Sequence, residues 1–130
     1  MPQFLHHYPL VAKSDKAALL GILGEQLAES YLTHRHYRVI ERNWRGVHGE
    51  IDLVVTAPDG ELVIVEVKAR SSGRFGDAIE AIDAEKMRRL HLLARQWCIE
   101  HAIRMEYRID VITLDNFSLP KISHRVGLKS

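Results

Sequence analysis

Apolar residues in this chain recur every three or four positions in some stretches and every second position in others. In the first kind, Leu20, Leu23, Leu27 and Tyr31 form one stripe of a helix that Ser14 or Asp15 can cap and that should end near His34 to His36. Tyr37 to Arg45 then reads as a strand, followed by a turn over Gly46 to Gly49. Two more β-rich runs, Glu50 to Thr56 and Glu61 to Arg70, are joined by Ala57-Pro58-Asp59-Gly60. Proline sets its own φ and glycine accepts a positive one, so this tetrapeptide predicts a hairpin. Ser71 to Gly76 reads as a loop, and Ala78 to Ile82 fits a short strand or a helical turn equally. Asp83 can cap a second helix with Met87, Leu90, Ala94, Trp97 and Cys98 on its buried stripe. Glu106 to Leu114 is a last strand. The order is αβββαβ, an α/β domain over residues 15–115, with a loose arm at 1–14 and a loose tail at 116–130.

Composition narrows the class. A chain of 130 residues that is 46% hydrophobic can bury a core as one domain without disulfides. The net charge of +1 says little about partners, so any nucleic-acid surface must come from local clustering. The single cysteine, Cys98, excludes an internal disulfide framework and fits a reducing compartment. The longest apolar runs, such as Leu62 to Val67, are far below a membrane span, and the N-terminus lacks the pattern of a signal peptide. The expectation is a cytoplasmic protein with no membrane association.

The polar positions inside the strands carry the candidate chemistry. Strand alternation puts Glu50 and Asp52 on one face, with Ile51, Leu53 and Val55 on the other. It likewise pairs Glu66 with Lys68, opposite Val63, Val65 and Val67. As hairpin partners, the two strands would place Asp52 beside Glu66 and Lys68. Such a patch suits phosphodiester hydrolysis: oxygen ligands hold Mg²⁺ or Mn²⁺, the metal activates water, and an ammonium stabilises the transition state. Antiparallel strands also carry Glu and Lys on ordinary solvated faces, so on pattern alone the two readings stand even.

A wider set of strings tips that balance. Gly24 to Leu32 (GEQLAESYL), Asn43 to Val54 (NWRGVHGEIDLV), Val65 to Arg70 (VEVKAR), Phe75 to Leu90 (FGDAIEAIDAEKMRRL) and Arg108 to Ile112 (RIDVI) together resemble the bacterial YraN family. That family is predicted to share the fold of restriction endonucleases and archaeal Holliday-junction resolvases. The resemblance implies a restriction-endonuclease-like αβββαβ core, with a mixed central sheet flanked by helices. It also implies a PD-(D/E)xK site in which Asp52 is the motif aspartate and Glu66 and Lys68 the E-x-K pair. Glu25 matches the extra acidic residue that resolvase-like members place near the metal. The motif's proline is absent, since Ile51 precedes Asp52.

The expected catalytic set is therefore Asp52, Glu66, Lys68 and Glu25, with Asp52, Glu66 and Glu25 as metal ligands. Glu50 could be an outer group or simply solvated. Arg45, Arg70 and Arg74 bracket the site, and Lys86 and Arg89 lie one turn apart on the second helix, positions suited to phosphate contacts. Arg88 and Arg95 read as ordinary helix surface. The His34/His36 and His6/His7 pairs lack the spacing of a metal motif. Trp97 reads as core, Trp44 as core or a base-stacking platform, and Asp110 as a polar residue bonding locally or facing water. The expected function is a metal-dependent endonuclease acting on DNA, in branched or single-stranded forms, as a homodimer if the substrate is a junction. The rival is a non-catalytic nucleic-acid-binding or adaptor protein on the same fold.

Overall fold

The computed structural model describes residues 13–70, 82–115 and 121–128. The expected loop at Ser71 to Gly76, residues 78–81, Arg74 and residues 1–12 lie outside the described residues. The elements are α1 (Lys13–His34), β1 (Arg38–Gly46), β2 (Gly49–Thr56), β3 (Leu62–Arg70), α2 (Ala84–Glu100), β4 (Arg108–Asp115) and β5 (Lys121–Arg125). They build one five-stranded sheet in the order β1-β2-β3-β4-β5. β1, β2 and β3 form an antiparallel meander, β4 runs parallel to β3 after the α2 crossover, and β5 returns antiparallel to β4. This is the expected α/β core with a mixed sheet and flanking helices, extended by one strand.

Each helix covers its own hydrophobic cluster. Met87, Leu90, Leu93, Ala94, Trp97 and Cys98 of α2 pack on Trp44, Ile51, Val54, Ile64 and Ile109. Asp83 caps this helix as expected, its carboxylate accepting from the Lys86 amide at 2.8 Å. On the other side, Ala28 and Leu32 of α1 pack on Leu53, Val55, Val63, Val65 and Ile112. Of the expected α1 stripe, Leu27 and Tyr31 pack against this cluster and Leu20 is half-buried, but the stripe's deepest line is shifted. Leu23 is 47% exposed, while the line Gly24, Ala28 and Leu32 is buried. Small side chains at 24 and 28 let the helix lie close to the sheet, so the nearest line carries the least bulk. The helix also begins at Lys13, which places Ser14 and Asp15 inside its first turn rather than at a cap.

Two hairpin turns hold the meander. Gly60 takes φ 91° in the Pro58-Asp59-Gly60 turn, where Asp59 accepts from the Glu61 amide at 3.0 Å. The β1–β2 turn needs only Val47 and His48 between the paired Gly46 and Gly49. The Val47 amide donates to Gln96 Oε1 of α2 at 2.9 Å. A Cβ on Gly46 would stand 2.5 Å from that Gln96 oxygen and 2.6 Å from the Trp44 ring.

The expected loose tail is corrected by β5. Its run Lys121–Arg125 has one large apolar residue, Ile122, so no alternation marks it as a strand. Edge pairing with β4 and a buried polar anchor hold it instead. Asp110 is 0% exposed and accepts from Arg108 Nε at 2.9 Å, His124 Nε2 at 2.7 Å and the Gly127 amide at 2.9 Å. Burial pushes its carboxyl up, but the bonds from His124, Arg108 and Gly127 outweigh that and hold it below its ordinary value. Tyr31 reaches the other nitrogen of His124 at 3.1 Å, tying α1 to this strand. Asp110 is thus a structural anchor. Among the described residues, no helix is long and apolar enough to cross a membrane.

Candidate functional site

The sheet opens at Asp52. Pairing between β2 and β3 ends at Leu53↔Val65, and beyond it the Val67 amide donates to Asp52 Oδ2 at 2.7 Å. Ile51 packs with the α2 cluster and Leu53 with the α1 cluster, although strict alternation would put both on one face. Between the β1 partners of these residues, Arg42 and Trp44, lies Asn43 with φ 49°, so β1 departs from regular strand geometry at the same level. The expected common face for Ile51, Leu53 and Val55 therefore breaks at Asp52. Its carboxylate sits in a fork between two strands.

Three acids converge there. Ligand oxygens of Glu25, Glu50 and Asp52 all lie within 4.8 Å of one another, and each residue is half-buried. Glu25 reaches the fork from α1, next to the buried Gly24. Asn43 Nδ2 donates to Glu25 at 2.8 Å and to Glu50 at 3.4 Å, holding the two carboxylates together. Arg45 approaches Glu50 at 3.7 Å. Glu29, one turn on from Glu25, belongs to a different pair: Arg42 donates to both its oxygens and holds its carboxyl below the ordinary value. A cleft of about 310 Å³ opens beside Glu25, Asn43 and Leu53.

The electrostatics of the fork ask for a cation. Asp52 is pushed up to about 8, first by burial, then by the charge on Glu66, with Glu25 and Glu50 adding and the Val67 amide opposing. A carboxylate so placed holds either a proton or a metal. Three carboxylates offering hard oxygen donors fit a divalent cation such as Mg²⁺ or Mn²⁺.

Glu66 and Lys68 stand on the other side of the fork. Ile64 packs towards α2 and Val65 towards α1, so alternation turns Glu66 towards α2. It lies outside the three-acid group, and it acts on Asp52 through its charge. The shared face expected for Asp52, Glu66 and Lys68 is replaced by an approach across the open fork. Glu66 Oε2 is 2.6 Å from Lys86 Nζ and 3.8 Å from Lys68 Nζ. Lys86, expected to contact phosphate, is the nearer partner of the motif glutamate. Burial pulls the Lys86 ammonium down most, but the hydrogen bonds with Glu66 and Lys68 and the charge of Glu66 together outweigh it and hold Lys86 above its ordinary value. Lys68 is held below its ordinary value, first by the hydrogen-bonded Lys86, then by burial, while the charges of Glu66 and Asp52 pull it back up.

The basic rim is partly in place. Arg45 is 83% exposed at the end of β1, and Arg89 lies beside Gly49, its Cδ 3.9 Å from where a Cβ would stand. Arg70 is half-buried at the end of β3. Trp44 is buried in the α2 cluster, so it is core rather than a stacking platform. His34 donates to the Ser30 carbonyl at 2.7 Å and takes no part in the site. Glu50, which strand alternation allows either as an outer group or as simply solvated, is one of the three converging acids, and Gly-Glu-Ile-Asp places it on the Asp52 face. Asn43 and the Lys86–Glu66 bond carried no sequence signal.

A model of the uncharacterised protein family UPF0102, which is the YraN family, matches residues 24–114. A UPF0102 protein of Arthrobacter sp. (strain FB24) is 45% identical over 114 residues, covering 85% of this chain and 95% of that protein. One from Mycolicibacterium gilvum is 41% identical over 122 residues, covering 91% and 99%. One from Renibacterium salmoninarum is 46% identical over 113 residues, covering 84% and 94%. Among solved structures, SfsA of Pyrococcus furiosus in complex with Ca²⁺ aligns with a TM-score of 0.40 and 18% identity, over 86% of this chain and 64% of that one.

Proposed function

The chain belongs to the uncharacterised protein family UPF0102, and from that premise we propose that it is a metal-dependent endonuclease hydrolysing phosphodiester bonds in DNA, in branched or single-stranded forms. One observation carries the reading: Asp52, pushed up to about 8, stands in a fork with Glu25 and Glu50 and within the field of Glu66 and Lys68. An ordinary solvated sheet face does not bury an aspartate among other acids, because desolvation and like-charge repulsion both oppose it.

In this reading Asp52 holds the metal with Glu25 or Glu50, and Glu66 is drawn to it across the fork from β3. A bound Mg²⁺ or Mn²⁺ would supply charge neutralisation for the phosphate and a more acidic water. Asn43 keeps Glu25 and Glu50 at ligating distance from each other. Lys68 presents an ammonium 3.8 Å from Glu66 and within the field of Asp52, where it can orient the water or meet the developing phosphorane charge. Arg45 and Arg89 flank the hairpin next to Glu50, and contacts of that kind position a backbone without reading its sequence. Symmetric cutting of a junction would require two copies.

The test is cleavage. Purified protein is incubated with single-stranded, flap and four-way DNA in Mg²⁺, Mn²⁺ or EDTA, alongside Asp52→Ala. The reading expects metal-dependent cuts that EDTA and Asp52→Ala abolish. Wild-type protein that binds these DNAs and cuts none of them would establish the adaptor reading in its place.

A further inference from the structure

Charge is unevenly shared around the fork. Asp52, Glu25 and Glu50 crowd together, and among the described residues the hydrogen-bond donor to Asp52 is an amide rather than a cation. Across the fork, two ammoniums face a single carboxylate oxygen, Glu66 Oε2. We propose that Lys86 is the site's own counter-cation: in the metal-free protein it holds Glu66, and a divalent cation entering the fork must take that carboxylate from it.

The Lys86–Glu66 bond is built rather than incidental. Its N···O distance is 2.6 Å, with side chains 18% and 8% exposed, far from the solvated lysine of a surface pair. The Asp83 cap fixes the first turn of α2 through the Lys86 amide itself, so the stem of the lysine starts from a set position. Met87, the next residue, is buried in the core and pins the same turn. A carboxylate neutralised this closely is a weak metal ligand, because each new cation must compete with an ammonium already in place. The buried Glu66 would be costly without it, since an uncompensated buried charge is strongly destabilising. Lys86 therefore stabilises the metal-free fold and lowers the affinity of the site for metal. The inference rests on the reading of the fork as a metal centre, which the proposed function also requires.

Mn²⁺ titration followed by electron paramagnetic resonance, together with thermal unfolding, tests it on the intact chain. Lys86→Met should bind Mn²⁺ tighter than wild type by about tenfold, the scale expected for removing one cation from a partly buried site. Lys86→Arg should bind as wild type does. In a Glu66→Gln background, Lys86→Met should tighten binding much less, because the carboxylate at issue is gone. Without metal, Lys86→Met should unfold at a lower temperature, and Mn²⁺ should restore most of the loss. Lys86→Gln, which keeps a donor without the charge, gives the same direction of change should Lys86→Met fail to fold. Wild type that binds Mn²⁺ while Lys86→Met and Lys86→Gln bind it no tighter overturns this inference and leaves the metal centre standing. So does tightening that persists undiminished in Glu66→Gln. If neither wild type nor either Lys86 variant binds Mn²⁺, the metal centre falls and the inference with it.

Discussion

Moving from about pH 6 to about pH 8 should greatly strengthen Mn²⁺ binding, because Asp52 must lose a proton before it can ligate. Its carboxyl is pushed up to about 8 by burial and by the charges of Glu66, Glu25 and Glu50. Near pH 6 only about one site in a hundred would carry the ionised form, and near pH 8 about half would, so affinity should rise about 50-fold, close to tenfold per unit at the lower end. Calorimetric titration in buffers of different ionisation enthalpy should show close to one proton released per metal near pH 6. The same shift governs stability without metal. A carboxyl whose pKa is raised on folding binds more protons in the native state than in the unfolded one, so its contribution falls as pH climbs from about 4 to about 8. Asp52→Asn should therefore be more stable than metal-free wild type at pH 8, lose that advantage near pH 4, and bind Mn²⁺ poorly throughout. An affinity that stays flat from about pH 6 to 8, with no proton released, would refute the account of Asp52.

Three other perturbations follow from the geometry. Lys68→Ala should lower cleavage by about 10² to 10³ without weakening Mn²⁺ binding or the fold, read by single-turnover rates beside the metal titration. Asp110→Ala should cost about 3 kcal/mol in urea unfolding, because Arg108 and His124 lose their shared buried carboxylate, leaving Arg108 only Glu61 and Tyr37. The depressed Asp110 carboxyl also gives the wild type stability that is present above its ordinary value of 3.8 and lost as pH falls through the lower folded value. Gly46→Ala should destabilise by about 1–3 kcal/mol, since its Cβ would meet the Gln96 oxygen and the Trp44 ring, and a variant as stable as wild type would show that the hairpin gives way freely.

The parts legible in the sequence are those set by short-range rules. Pro58-Asp59-Gly60 fixed a hairpin because its φ demands leave few alternatives, and Asp83 announced α2 through a cap that needs only local backbone. Glu66 and Lys68 stood out as charges within a run of Val, Leu and Ile. What sequence periodicity missed depends on contacts between elements. The face of α1 is chosen by closeness to the sheet, which favours Gly24 and Ala28 over the bulkier Leu23. β5 is held by pairing and by His124 on Asp110, neither of which leaves an apolar pattern. The fork at Asp52 is a break in alternation, and a rule built on alternation carries no signal for its own failure. It is this break that turns Asp52, with Glu50 beside it, towards Glu25 and leaves Glu66 to Lys86.

Anomalous scattering from crystals soaked in Mn²⁺ near pH 8 shows whether the fork carboxylates form a single metal centre. One strong peak is expected, ligated by Asp52 together with Glu25 or Glu50, with Glu66 drawn away from Lys86. No peak at the fork at millimolar Mn²⁺, with the Lys86–Glu66 bond intact, would contradict it.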